Sequence, residues 1–310
     1  MSSKSPKPPR GRKSLWHQFI VKRRNRRLLV ALSVVAIVVV IAIISSQVYM
    51  TSVSNVKVSN KLQTSSQSSS AKSKHSQSSS KVPQVTASQP GPDEKVAYLT
   101  FDDGPSKFTP QLLNILEQNN VKATFFIAFM GEDTPEKRSY IQKEAADGNA
   151  LGVHSWTHNY SYIYSSEQNF LTDFNTMKSI ITSATGVQPN ICRFPGGIGN
   201  TVSLKHHGNT PIMPTLLSDV NNMGFTAFDW NAGGEDAEIP RPASGQQFAS
   251  EIMKEVGNTK HPIILMHDLD QVSINTVPIL IQELRAEGYN FSPLTPAIKP
   301  VQQRPVLSRK

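Results

Sequence analysis

The chain has one cysteine, Cys192, in 310 residues, so no intrachain disulfide can form and any folded part must stand on its apolar core. Acidic residues are missing altogether from positions 1–92, which carry fifteen Lys or Arg. The remainder holds 17 basic against 23 acidic side chains, a net of about −6. The overall charge of +9 therefore belongs to the N-terminal part alone. A mildly acidic body with basic charge confined to its tails argues against a polyanion-binding face, so nucleic acid is not an expected partner. The zinc-protease pattern His-Glu-x-x-His is also absent, and no internal repeat is visible.

Long apolar runs are scarce, with one exception. Leu28 to Ile44 is seventeen residues broken only by Ser33, roughly 25 Å of helix at about 1.5 Å per residue. With flanking residues the span reaches 28–49, enough to cross a bilayer. The ten Lys or Arg ahead of it place residues 1–27 in the cytoplasm and the body outside. The competing reading is a cleaved signal peptide, but the run exceeds an ordinary apolar core of such peptides and lacks a convincing small-x-small site after it. Residues 50–92, rich in Ser with Gln and Lys, bury too little apolar surface to fold and read as a disordered linker. Residues 296–310, Pro-rich and basic, read as a disordered tail.

Between these flanks, 93–295 alternates β-branched or aromatic runs with amphipathic stretches, the pattern of an α/β domain. Strands are expected at 96–101, 123–127, 150–153, 190–192, 226–230, 263–266 and 289–291. Helices are expected at 109–118, 136–147, 166–185, 214–223, 246–256 and 277–287. Seven strands suggest a barrel-like fold, short of the regular eight-fold one. Cys192, ending a strand beside Arg193, reads as a small buried hydrophobe.

The polar residues fall where chemistry concentrates. Asp102 and Asp103 follow AYLTF, His154 follows ALGV, Arg193 follows NIC, Asp236 lies past TAFDW, and His267 follows PIILM. In a parallel barrel the C-terminal ends of the strands share one face, so these groups converge. Asp-Asp-Gly-Pro is equally an ordinary strand-ending turn. His154 and His158, four apart, can reach a single cation from one face of a helical turn. Ser155 stands where a zinc protease has its Glu, so a general base must come from elsewhere, and the carboxylate pair supplies a candidate.

TFDDGP (100–105), HSWTH (154–158), RFPGG (193–197), DWNAGGED (229–236) and LMH (265–267) occur in that order. This ordered set resembles the five motifs of the NodB-type polysaccharide deacetylases, carbohydrate esterase family 4. The resemblance implies a distorted (β/α)7 barrel and hydrolysis of N-acetyl groups on a glycan, peptidoglycan N-acetylglucosamine above others, with O-acetyl ester hydrolysis or a silent glycan-binding module as rivals. It implies a divalent metal, usually zinc, on Asp103, His154 and His158, with Asp102 as base and Arg193 as its partner. It further implies a backbone N–H of Gly196 for the oxyanion, Leu265 against the acetyl methyl, His267 as acid, and Asp236 orienting His267. Asp229-Trp230 is a second local match, so that last assignment depends on register. Ala237 stands where many members have Trp and Gly233 where many have Asp, departures that would widen the acetyl pocket. Tyr160, Tyr162 and Tyr164 fit a sugar-lined cleft or a loop packed on the barrel. Oligomeric state is not legible.

Overall fold

A computed structural model describes residues 85–307. The expected cytoplasmic tail, membrane span and linker as far as residue 84 lie outside the described residues. Among the described residues no helix is long and apolar enough to cross a membrane.

In chain order the strands are β1 (Val96–Asp102), β2 (Thr124–Ala128), β3 (Ala150–Ser155), β4 (Ile191–Cys192), β5 (Thr226–Ala227), β6 (Ala232–Gly233), β7 (Ile263–His267) and β8 (Asn290–Phe291). The helices are α1 (Thr109–Gln118), α2 (Pro135–Ala146), α3 (Tyr160–Ile163), α4 (Glu167–Thr185), α5 (Val202–His206), α6 (Met213–Asn222), α7 (Gly245–Val256) and α8 (Gln271–Ala286). All strand pairings are parallel. The sheet order is β5-β4-β3-β2-β1-β7-β6, with β8 joined to the start of β1. Among the described residues β5 and β6 do not pair, so the barrel is open at that seam. This is the expected distorted α/β barrel, with eight strands rather than seven.

The extra strand comes from the expected strand at 226–230. Only Thr226–Ala227 pairs with β4. The chain then leaves the sheet at Asp229, whose N–H donates to the Val301 carbonyl, and re-enters against β7 at Ala232 and Gly233. Helix α8 begins six residues before the expected 277. Pro278 suggests a helix start because its missing N–H is harmless there. Instead Asp270 caps the helix by accepting from the Ser273 N–H, and Pro278 sits inside. The short helices α3 and α5, and a 3₁₀ turn at Glu235–Ala237, were not anticipated; each is too brief to carry a periodic signal.

Strand alternation divides the core. Leu99, Phe101, Phe125 and Ile127 face the helices. Val96, Tyr98, Phe126, Ala150, Ile191 and Ile263 face the barrel interior. Several of these inner residues start their strands, so the N-terminal end of the barrel needs an apolar cover. Leu294, Ile298 and Val301 supply it, with Val85 from the other terminus. The expected disordered tail is therefore a packed strap as far as it is described, and the domain starts upstream of residue 93. Thr295 donates to the Ala87 carbonyl, and the Gln89 side chain accepts from the Lys299 N–H. Proline and basic charge leave a segment extended without preventing Ile298 and Val301 from filling an open barrel end.

Ile298 is 3% exposed. Ile298→Ala is expected to cost about 2–5 kcal/mol in urea unfolding of the full chain; a change below about 0.5 kcal/mol, the size of an ordinary surface substitution, would contradict the packed strap.

Candidate active site

Alternation along β1 sends Val96, Tyr98, Thr100 and Asp102 to one face, the barrel interior. Asp102 pairs in register with His267 on β7 and Phe126 on β2. The next residue, Asp103, turns back with φ 68°, a left-handed conformation that Asp tolerates better than most residues. Adjacent carboxylates therefore point differently. The loop beyond is tight: a side chain on Gly104 would begin 2.9 Å from an oxygen of Asp268.

Arg193 is one of the largest fully buried side chains in the molecule, 1% exposed. Its Nη1 donates to Asp102 Oδ1 at 2.8 Å and to Thr100 Oγ1 at 2.7 Å. Its Nε and Nη2 donate to the carbonyls of Phe228 and Asp229 at 3.0 and 3.2 Å. The guanidinium also lies 4.3 Å from the Phe126 ring centroid. The pair with Asp102 is thus an interior one. Burial leaves the Asp102 carboxyl above its ordinary value, although Arg193, His267 and His158 pull against it. With Oδ1 taken by Arg193, Oδ2 faces His154 Nε2 at 3.8 Å.

His154 is buried, and its Nδ1 lies 2.7 Å from the Arg193 carbonyl. A carbonyl only accepts, so Nδ1 carries the proton and Nε2 keeps a free lone pair. Burial is the main cause that holds this imidazole down to about 3, hence neutral at pH 7. His158, at φ 51°, donates its N–H to Ser155 Oγ. Asp103 Oδ1 lies 3.5 Å from His154 Nε2 and 3.2 Å from His158 Nε2. That oxygen is buried with no hydrogen-bond partner. Ligand atoms of the three residues all lie within 4.8 Å of one another. A buried, orphaned carboxylate oxygen converging with a histidine lone pair fits a divalent cation.

Across the register pair, His267 Nδ1 lies 2.9 Å from Asp236 Oδ1, and the His267 N–H donates to Asp236 Oδ2 at 2.8 Å. Ser273 Oγ also donates to Oδ2. Burial is the largest single influence on His267 and lowers its pKa. The hydrogen bond and charge of Asp236, with the charges of Asp102 and Asp103, outweigh it and raise the group to about 9. The ring is charged at pH 7. Its raised pKa adds stability that is complete below the ordinary value of about 6.5 and disappears as pH rises through about 9.

Asp229 does not compete for this histidine. It accepts from the N–H groups of Ile198 and Gln303 at 3.0 and 2.7 Å, joining the Arg193 loop to the C-terminal strap. The register thus favours Asp236. Leu265 lies two residues before His267 on β7 and is 4% exposed. Gly233 cannot carry any side chain, since a Cβ would begin 2.3 Å from the Leu265 carbonyl oxygen. Ala237 ends the 3₁₀ turn and is exposed. Gly196, φ 75°, is exposed three residues past Arg193; a Cβ there would lie 3.4 Å from the Tyr160 hydroxyl. Tyr160 meets His158 edge-on at 5.2 Å, linking Gly196 to the histidines. Tyr164 is fully buried and donates to the Pro195 carbonyl, so it packs the loop rather than a sugar. Cys192 is buried as expected, its thiol pushed up by burial.

Asp268, fully buried beside His267, was missed. It accepts from Ser106 Oγ at 3.3 Å and from Thr109 Oγ1, so it ties the Asp103 loop to β7. Its signal is the acidic neighbour of a strand-end histidine, opposite two hydroxyl residues that follow the Gly-Pro turn.

With this geometry in place, similarity to known proteins becomes specific. The family described as polysaccharide deacetylase matches residues 89–212. The peptidoglycan-N-acetylglucosamine deacetylase of Bacillus cereus is 32% identical over 205 residues, covering 65% of this chain and 70% of that one. The chain belongs to the polysaccharide deacetylase family. As a polysaccharide deacetylase it is a hydrolase, and the solved folds agree. The catalytic domain of the Eubacterium rectale peptidoglycan N-acetylglucosamine deacetylase is 40% identical with a TM-score of 0.65, covering 71% of this chain and 97% of that one. A Streptococcus mutans CE4 esterase is 26% identical with a TM-score of 0.56, covering 67% and 87%.

Asp236→Asn removes the charge that raises His267. By histidine-resolved NMR titration its pKa is expected to fall from about 9 towards or below the ordinary value of about 6.5; an unmoved value would rule out Asp236 as the controlling partner.

Proposed function

We propose that this chain removes N-acetyl groups from a cell-surface glycan, peptidoglycan N-acetylglucosamine being the substrate favoured by the Bacillus cereus and Eubacterium rectale relatives. The observation that carries the reading is one cleft holding an orphaned Asp103 oxygen beside two imidazoles, a half-free carboxylate at Asp102 and a charged His267. Asp103, His154 and His158 would hold a divalent ion, zinc by its preference for imidazole with carboxylate, which when bound polarises an acetyl carbonyl and acidifies a water.

The chain's own residues divide the remaining work. Asp102 Oδ2 takes a proton from the attacking water, while Arg193 occupies Oδ1 and favours the ionised form. As the C–O bond forms, the backbone N–H of Gly196 donates to the oxyanion. The C–N bond then breaks, and His267 Nε2–H protonates the departing amine. Asp236 keeps that proton available at neutral pH. Leu265 packs the acetyl methyl. The products are acetate and a glucosamine whose ammonium changes the charge of the strand.

The sequence pattern of residues 1–49 supports placing this cleft outside the cell on a single N-terminal anchor. Such a tether keeps the enzyme near wall polymers. On this reading the full chain stays with membranes through alkaline washing, and a chain starting at residue 50 is released; equal release of both would refute the anchor.

A second reading, O-acetyl ester hydrolysis, is favoured by the likeness to the Streptococcus mutans esterase. Acetate released from N-acetylated oligosaccharides and from acetylated xylan separates the two. In the N-acetyl assay chelation is expected to abolish release and zinc to restore it. Asp102→Asn is expected to lower release about 10²- to 10⁴-fold while still binding zinc. Full activity in Asp102→Asn would remove Asp102 as the base.

A further inference from the structure

The segment from His154 to His158 must hold two imidazoles on one point, yet its second histidine has a backbone angle, φ 51°, that ordinary side chains avoid. Something must hold that turn. On α4 the buried face runs Phe170, Asp173, Phe174, Met177, Ile180 and Ile181, with one acid inside an apolar stripe. Asp173 is 3% exposed. A buried carboxylate without a cation needs donors, and here every one comes from the same three residues.

Oδ1 of Asp173 accepts from Ser155 Oγ at 2.6 Å and from the Trp156 N–H at 2.8 Å. Oδ2 accepts from the Thr157 N–H at 2.8 Å and from Thr157 Oγ1 at 2.7 Å. Ser155 Oγ, oriented by that first bond, in turn accepts from the His158 N–H at 2.8 Å. Each residue between the two histidines is thus bound to one carboxylate, and His158 follows one step removed. The turn brings His158 Nε2 to 3.2 Å from Asp103 Oδ1.

The structure assigns to Asp173 the role of a positioning residue for the metal centre: an anionic clamp that holds the HSWTH turn in the conformation in which His154 and His158 meet Asp103. This inference rests on the metal reading above. Asp173 bonds to neither histidine side chain, so its effect on the metal passes through the loop. Its four donors also explain why a carboxylate is required. Asn offers one acceptor oxygen and turns an NH₂ towards two donors.

The test is zinc affinity of the full-length chain, measured by competition with a chromophoric chelator, for wild type, Asp173→Asn, Thr157→Val and Asp103→Asn. Secondary structure and metal-free unfolding midpoint are followed alongside. Asp173→Asn is expected to bind zinc about 10- to 100-fold more weakly, the usual effect of losing a partner of a metal-binding segment. Thr157→Val, which deletes one donor and keeps the carboxylate, is expected to show a smaller loss in the same direction. Should Asp173→Asn fail to fold, Thr157→Val decides alone. A lowered metal-free midpoint with unchanged zinc affinity in both variants would overturn the inference, since a merely structural residue behaves that way. No zinc binding by wild type, or undiminished binding by Asp103→Asn, would overturn the metal reading itself and this inference with it.

Discussion

The buried ion pair between Arg193 and Asp102 is the contact on which the cleft depends. It joins β1 to the loop after β4, across a barrel whose seam is open between β5 and β6. A guanidinium in an apolar interior is tolerated only when its charge and its donors are both satisfied. Here Asp102 supplies the charge, and Thr100, Phe228 and Asp229 supply further acceptors. The carbonyl of Arg193 then fixes His154 from the other side. One residue therefore holds the proposed base in place and fixes the tautomer of a proposed metal ligand. Removing one partner of such a pair commonly costs about 3–5 kcal/mol because the other charge is left buried.

Two histidines in this cleft are driven to opposite charge states by their surroundings. His154 is neutral because burial outweighs the raising effect of the Arg193 carbonyl on Nδ1, and the neutral ring is the form that can offer a lone pair to a metal. His267 is only partly buried and faces Asp236, whose carboxylate outweighs burial and keeps it charged. The same ring is thus neutral with a free lone pair in one place and a charged proton donor in the other. β1 and β7 hold the proposed base and acid in direct register, Asp102 opposite His267, so the parallel pairing itself sets their separation.

Much of this was legible in the sequence because catalytic groups at strand ends need only the strands to be found. The runs AYLTF and PIILM are fully buried strands, and their bounding polar residues lie on the cleft. The choice between Asp229 and Asp236 was open in the sequence, since it turns on where β5 stops and β6 begins, a break set by hydrogen bonds to Val301 and Ile263 from far along the chain. The strap after Pro296 was misread as disorder for a related reason. Composition reports that a segment is extended and polar on average; it does not report that Ile298 and Val301 meet an open barrel end. Asp173 did leave a signal, an acid in the apolar stripe of α4, but its partners lie in another motif and appear only when helix and loop are packed.

The substrate assignment is tested most directly on the polymer itself. Cell-wall peptidoglycan incubated with the zinc-supplemented full-length protein is digested to glycan fragments, and their masses are read for acetylated and free glucosamine. The account predicts that free glucosamine appears with wild type and not with Asp102→Asn. Fully acetylated glucosamine after treatment with a folded, zinc-bound wild-type protein would contradict it.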